Sequence, residues 1–219
     1  MPLTPHRWDL SPTEAIALQK ELAAQIDAGS PITIDDLKLV AGVDVSVKNN
    51  VSRAAIVVMT FPDLARVEAV TAQIPTPFPY ISGLLSFREG AVILAARQKL
   101  KATPDAYLFD GMGIMHPRRI GVASHIGLWF DAPTVGVGKT KLLGDYDEPG
   151  MQKGDFSPLM HKDEYLGDVL RTRAKVKPVF VSVGHKATTE SARELVLRCT
   201  TRYRLPEPIR AAHNTAGEF

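Results

Sequence analysis

Hydrophobic and polar positions switch between two periods along the chain, and the switches mark its elements. Residues 39–47 alternate with period two and are rich in valine, which predicts a strand. Leu39, Ala41, Val43, Val45 and Val47 then share one face, and Asp44 lies on the other between Gly42 and Ser46. Asn49-Asn50 predicts a turn into a second strand over 53–61, and Pro62-Asp63 a turn into a third over 66–74. Three strands with short connections make an antiparallel meander. Ahead of it, Ser11-Pro12-Thr13-Glu14 is a capping box with proline at the first helical position. Ile16, Leu18, Leu22, Ala23 and Ile26 continue as an approximate helical stripe that Gly29 ends. Behind the meander come a helix over 86–100, a strand over 106–109 stopping at Asp110, a helix over about 123–130 and a strand over 134–137 stopping at Gly138-Lys139. A strand over 178–183, a helix from Thr188 or Thr189 to about Thr201, and a short helix opening at Pro206-Glu207-Pro208 complete the series. Residues 140–164, rich in Gly, Pro and Asp, read as an irregular excursion. The order predicts an α/β fold, a mixed central β-sheet with helices on both faces. With no internal repeat and no low-complexity linker, residues 1–219 read as a single domain.

Composition narrows the classes. One cysteine, Cys199, excludes a disulfide framework and a cysteine-based zinc site. No apolar run approaches the ~20 residues of a membrane span, and Met1-Pro2-Leu3-Thr4-Pro5 has no signal-peptide core, so a cytoplasmic protein without a membrane partner is expected. Net charge is only +2, but residues 1–110 carry 10 basic and 12 acidic side chains and residues 111–219 carry 16 and 12. Between Arg171 and Arg204 the excess is strong, with Arg173, Lys175, Lys177, Lys186, Arg193, Arg198 and Arg202 against Glu190 and Glu194. That run is either a phosphate-tracking face or a solvated surface.

The candidate chemistry gathers at strand ends. Asp110 closes an apolar strand and is followed by Gly111-Met112-Gly113 and His116-Pro117-Arg118-Arg119, a loop whose backbone can approach a ligand closely. Asp44 is an anomaly, because aspartate is depleted in strands and a buried carboxylate needs a partner. If the two strands are neighbours, the carboxylates converge and call for a hard divalent cation. Glu89 stands three residues after Ser86, so it is either the partner in a helix cap or a third carboxylate facing the site. Lys139, His116, His125, His185 and His213 are surface residues by default.

Taken in order, several short pieces make the chain resemble the endonuclease V family, the deoxyinosine 3′ endonucleases. They are Gly42-Val43-Asp44-Val45-Ser46, Pro79-Tyr80-Ile81, Gly83-Leu84-Leu85-Ser86-Phe87-Arg88-Glu89, Asp110-Gly111 with His116-Pro117-Arg118-Arg119, Ala123-Ser124-His125-Ile126-Gly127, Pro133-Thr134-Val135-Gly136-Val137 with Lys139, Gly184-His185, Glu194-Leu195-Val196-Leu197, and the run from Tyr203 to Arg210 with His213. The resemblance implies an RNase H-like fold and Mg²⁺, replaceable by Mn²⁺, held by Asp44 and Asp110. It implies catalytic roles for Glu89, Lys139 and His213. It makes Pro79, Tyr80 and Ile81 a strand wedge, with His116 and Arg118 on the DNA. It places a hypoxanthine pocket at Gly83, Gly111, Gly113 and Gly121, walled by Leu85, Val122 and Leu142. The implied partner is DNA containing deaminated bases, cut by a monomer at the second phosphodiester bond 3′ to the lesion to leave 3′-hydroxyl and 5′-phosphate ends. Ser82 replaces the family's usual proline, Met112 stands where glutamine is common, and Met115 replaces a smaller residue, so substrate range is the open point. An inosine-specific ribonuclease or structure-specific nuclease on the same site, and a non-cutting binder of altered bases, are the alternatives.

Overall fold

The computed structural model describes residues 6–218; the stretch 1–5, where the sequence lacks a signal-peptide core, lies outside them. Helix α1 (Pro12–Ala23) opens with the capping box: the Ser11 side chain accepts from the Glu14 N–H while Glu14 accepts from the Ser11 N–H. It ends at Ala23, six residues before Gly29, and buries Ala15, Gln19 and Leu22, a different stripe from the one the apolar residues suggest. A short 3-10 turn, Ile34–Asp36, leads into the meander β1 (Leu39–Lys48), β2 (Val51–Thr60) and β3 (Arg66–Pro75). Asn49 and Asn50 both take positive φ, the geometry of a two-residue hairpin turn whose twist matches its strands. That turn lets β2 begin at Val51, two residues earlier than the pattern suggests.

Then follow α2 (Leu85–Arg97), β4 (Ala106–Asp110), α3 (Val122–Phe130), β5 (Thr134–Gly138), β6 (Phe156–His161), β7 (Glu164–Leu170), β8 (Val179–His185), α4 (Thr189–Arg198) and α5 (Glu207–Gly217). The excursion at 140–164 is therefore not wholly irregular. Residues 156–161 of it form β6, which pairs antiparallel with β7 just beyond, a hairpin that widens the sheet to eight strands in the order β3-β2-β1-β4-β5-β8-β7-β6. Pro158, inside β6, hid the strand, but β6 is an edge strand, where proline is tolerated.

The fold is RNase H-like. On one sheet face α4 and α5 bury Ile209, Ala212, Leu195 and Val196 against Val40, Leu108, Val135 and Val181. On the other, α2 and α3 bury Val92, Ile93, Val122 and Ile126 against Ala41, Val43, Tyr107 and Phe109. Strands β1, β4 and β5 are parallel, so their C-terminal ends open on one edge. Among the described residues no helix is long and apolar enough to cross a membrane.

His125 of α3 is fully buried among Trp8, His6 and Phe87. Its Nδ1 stands 2.9 Å from the Ser86 hydroxyl and its Nε2 2.8 Å from His6 Nε2, which also accepts from the Trp129 indole. His6 Nδ1 donates to the Arg7 carbonyl, so His6 Nε2 is the acceptor and His125 Nε2 carries the proton. Both rings are then neutral, and burial holds the His125 pKa down to about 3. The unfolded chain binds that proton near pH 6.5, so this ring's contribution is complete above 6.5 and is lost as pH falls. A His125→Asn variant should therefore lose less stability than the parent between pH 6.5 and 5, by on the order of 1–2 kcal/mol. Parallel denaturant titrations at the two pH values check this.

Candidate active site

The strand register creates the site. β1 and β4 pair in parallel with Val43 opposite Phe109, so the next residues, Asp44 midway along β1 and Asp110 at the end of β4, stand side by side where that pairing stops. Both lie on the α5 face, because Val43 and Phe109 belong to the α2–α3 face. His213 comes from α5, and its Nδ1 is 2.7 Å from Asp44 Oδ2. One ligand atom each from Asp44, Asp110 and His213 falls within 4.8 Å of the others. Lys139 follows β5, the parallel neighbour of β4, and its ammonium pairs with Asp110.

α5 can lie this close only because of Gly42. A Cβ there would strike the Pro208 carbonyl at the start of α5. Thus Gly42, two residues before Asp44 on the same face, sets how near His213 comes.

Glu89 does not complete a cap. α2 starts one residue earlier than expected, its N-cap is Leu84, and no side chain caps it. Ser86 instead donates to His125. Burial first, then repulsion from Asp44 and Asp110, pushes the Glu89 carboxyl well above the usual carboxylate range. Asp44 is raised too, by burial and by Asp110, against the opposing pull of His213. Carboxyl groups that burial and neighbouring carboxylates both push upward, as at Asp44 and Glu89, mark a place short of positive charge. All-oxygen donors with an imidazole suit a hard divalent ion.

Beside the cluster lies a cavity of about 300 Å³, which includes Asp110 and Lys139 in its wall. Gly83, Leu85, Gly111, Gly121, Val122 and Leu142 line it, as do Tyr80, Ile81 and His116. Gly113 does not line it: its Cα packs on the backbone of Val183 and its N–H donates to Ser182 Oγ at 2.9 Å. Tyr80 is 73% exposed at the rim. Arg118 holds the Gly83 carbonyl, and Pro79 is exposed in the same rim loop. Met112 lines the floor, whereas Met115 is buried in a separate apolar cluster. Burial and the neighbouring Arg118 lower the His116 pKa to about 4.

Three features escaped the sequence reading. Gln19 lines the cavity from α1; a polar residue inside the buried Ala15/Gln19/Leu22 spacing was its only signal. Ser182 anchors the Gly111–Gly113 loop from β8. The basic run is partly structural: Arg171 is 3% exposed and bonds the Gly150, Pro149 and Val176 carbonyls, Arg193 pairs with Asp168, and Arg204 bonds the Lys139 and Pro178 carbonyls.

A family model for Endonuclease V matches residues 20–214. The chain belongs to the Endonuclease V family. It is 48% identical to the Endonuclease V of Trichormus variabilis over 215 residues, 97% of each chain. Its fold superposes on a crystal structure of Endonuclease V from Streptomyces avermitilis with a TM-score of 0.92 at 39% identity, covering 97% of this chain and 94% of that one. It also superposes on Endonuclease V from Ciona intestinalis, solved with a 24mer DNA containing an inosine followed by a ribo-adenosine. That match has a TM-score of 0.82 at 32% identity, over 93% and 95% of the two chains. Endonuclease V proteins are nucleases, so the cluster belongs to a phosphodiester-cleaving enzyme.

Two outcomes follow from the geometry. Gly42→Ala should push α5 off β1, destabilising the fold by about 2–4 kcal/mol and depressing activity beyond what the remaining folded protein accounts for. Denaturant unfolding alongside cleavage assays checks both. For Asp44 and Glu89 the folded pKa is raised, so the metal-free fold holds these protons more tightly than the unfolded chain and loses stability as pH rises through the carboxylate range. Asp44→Asn should therefore raise the melting temperature of metal-free protein at pH 8 and shrink the further rise on adding Mg²⁺. Scanning calorimetry with and without the ion measures each.

Proposed function

We propose that this chain nicks DNA at deoxyinosine, hydrolysing the second phosphodiester bond 3′ to the lesion with Mg²⁺. The supporting observation is the shared wall: Asp110 and Lys139 belong at once to the base-sized cavity and to the acidic cluster. A site that grips one base and presents a phosphate to carboxylates within the same few ångströms fits a lesion-directed nuclease. The Ciona relative bound to inosine-containing DNA supports the substrate class.

Asp44 and Asp110 would hold the ion. When bound, it supplies Lewis-acid polarisation of the phosphodiester. Asp44, when ionised, can only accept, so His213 Nδ1 donates to it and the Nε2 lone pair is left to orient and deprotonate the attacking water. Glu89, whose proton is held by burial and repulsion, is the third carboxylate of the site. Lys139 offsets negative charge that builds on the phosphate.

The cavity favours hypoxanthine over adenine through its ends. Both α2 and α3 begin at the cavity, with Leu84 and Gly121 as N-caps and no side-chain cap on either. Their first-turn N–H groups and positive dipole ends favour an acceptor oxygen and disfavour an amine. Hypoxanthine presents an oxo group where adenine presents an amine. Tyr80, exposed at the rim, fills the stack that an extruded base leaves.

A labelled duplex with one deoxyinosine tests the reading. Cutting is expected with Mg²⁺ and not with EDTA, and Asp110→Asn should reduce the rate by roughly 10³-fold or more. Tyr80→Ala should weaken binding to the lesion duplex more than to its undamaged match. Cleavage by Asp110→Asn within tenfold of the parent would remove the metal role, and a preference for the same oligomer as RNA would reassign the substrate.

A further inference from the structure

A single backbone carbonyl next to the rim loop receives three donors. The oxygen of Gly83 accepts from Gln19 Nε2 at 3.0 Å, from His116 Nε2 at 3.0 Å and from the Arg118 guanidinium at 2.6 Å. The donors are themselves linked. Gln19 Oε1 accepts from Arg118 Nε at 2.5 Å, and His116 Nδ1 accepts from the Arg118 N–H at 3.2 Å, which makes Nε2 the protonated nitrogen. Gln19 Nε2 also reaches the Ile120 carbonyl at 3.4 Å.

Two things set this clamp apart from ordinary loop bonding. Gln19 is 1% exposed, and its amide is spent wholly on the cavity wall although it comes from α1, about a hundred residues from Ile120 in sequence. Gly83 sits at φ +79°, three residues after Tyr80 and two before Leu85. A peptide in that conformation is a natural pivot between the rim loop and α2. A carbonyl with three donors has no capacity left for a base, so its role is to be held rather than to read.

We propose that Gln19 is a positioning residue for lesion recognition: through the Gly83 carbonyl it fixes the Tyr80 loop and the first turn of α2 against the Ile120–Val122 wall. This rests on the deoxyinosine reading above. With the clamp intact, the cavity has one shape and the rim aromatic one height. Without Gln19 the Gly83 carbonyl keeps only its His116 and Arg118 donors, Arg118 loses the acceptor that aims it and the tie to Ile120 goes, so the loosened pocket must be ordered at each binding event, which costs affinity for the extruded base. Gln19 makes no bond to the acidic cluster, so the chemical step should be preserved.

The test is single-turnover cleavage against enzyme concentration, on a deoxyinosine duplex, with competition by its undamaged match. Gln19→Met keeps the volume and removes every bond; Gln19→Glu keeps the acceptor for Arg118 and removes both donations. Each should raise the half-saturating concentration on the lesion duplex by about tenfold, the effect of losing one or two buried hydrogen bonds. The maximal rate should stay within about threefold and undamaged-duplex affinity should not move, so discrimination falls by the same ~10-fold. A merely structural glutamine would lower melting temperature and active fraction and leave that discrimination ratio alone; an unchanged ratio in both variants, or equal losses on both duplexes, overturns the proposal. Should neither variant fold, Arg118→Lys, which cannot reach Gln19 and Gly83 together, should shift the ratio in the same direction, and an unchanged ratio there overturns it. A parent that leaves deoxyinosine uncut sinks the functional reading itself; a parent that cuts, with variants that discriminate as it does, sinks only the clamp.

Discussion

The parallel pairing of β1 with β4 is the constraint on which the rest depends. Its register sets Asp44 beside Asp110 on one face of the sheet, with backbone hydrogen bonds behind both. Neither side chain can move away without breaking the ladder, so their repulsion is built in. Burial is the larger cause of the raised Asp44 pKa and the charge of Asp110 adds to it; burial again, with both aspartates, pushes the Glu89 carboxyl well above the usual carboxylate range. Like charges held a few ångströms apart are unfavourable by amounts that a marginally stable domain feels. The neighbouring elements answer with a cation and a hydrogen-bond donor: Lys139 from the end of β5 pairs with Asp110, and His213 from α5 donates to Asp44. The same register thus fixes where the compensating side chains must stand.

Recognition is built on those strand ends too. The loop after β4 turns at Gly111, crosses the end of β5 and returns through Gly121 into α3, so the cavity floor and the carboxylate at its edge belong to one continuous stretch. Its shape is set by backbone contacts, such as Gly121 N–H to Gly113 O at 2.9 Å and Gly113 N–H to Ser182 Oγ at 2.9 Å. Such a wall has few rotamers to choose among, which suits the proposed role of separating bases that differ in one exocyclic group. The rim is a proline-rich loop anchored by Phe78, buried beside Phe87 with its carbonyl held by Arg88, and by the three donors on the Gly83 carbonyl.

Much of this was legible where a residue broke a local rule. An aspartate inside a valine-rich strand, a glycine two before it and a carboxylate closing an apolar strand each marked part of the site, because each is costly unless something distant requires it. Local signals with a backbone mechanism also survived: the Ser11 box and the Asn49-Asn50 turn stand as the pattern predicts. The failures share one cause, which is that tertiary partners decided them. Ser86 could cap a helix, but His125, thirty-nine residues on, took its hydroxyl, and Glu89 was released to the carboxylate cluster. β6 carries a proline and exposes Phe156 and Met160, so its pattern looks like loop until β7 is there to pair with it. Gln19 looks like any helical glutamine until the loop it grips is in place.

The basic run from Arg171 to Arg204 carries the same lesson into energetics. Counted as charges it suggests an electrostatic track, yet Arg171, Arg193 and Arg204 are bound to carbonyls and carboxylates that leave little of their charge to a ligand. Arg171 bonds the carbonyls of residues 149, 150 and 176 and Arg204 those of 139 and 178, outside the strands, so both serve as internal struts. What remains exposed is Arg173, Lys175, Lys177 and Arg202, with Arg198 beside Asp35 and Glu194, too sparse a set to dominate binding in a chain of net charge +2. For the deoxyinosine nicking proposed above, discrimination would then fall to the few groups whose positions the sheet fixes: a weak general attraction would let the molecule leave undamaged sites readily, and the pocket beside the acidic cluster would let it commit where one base fits. That division of labour requires the pocket and the carboxylates to share a frame, and Asp110, common to both, is the side chain that gives them one.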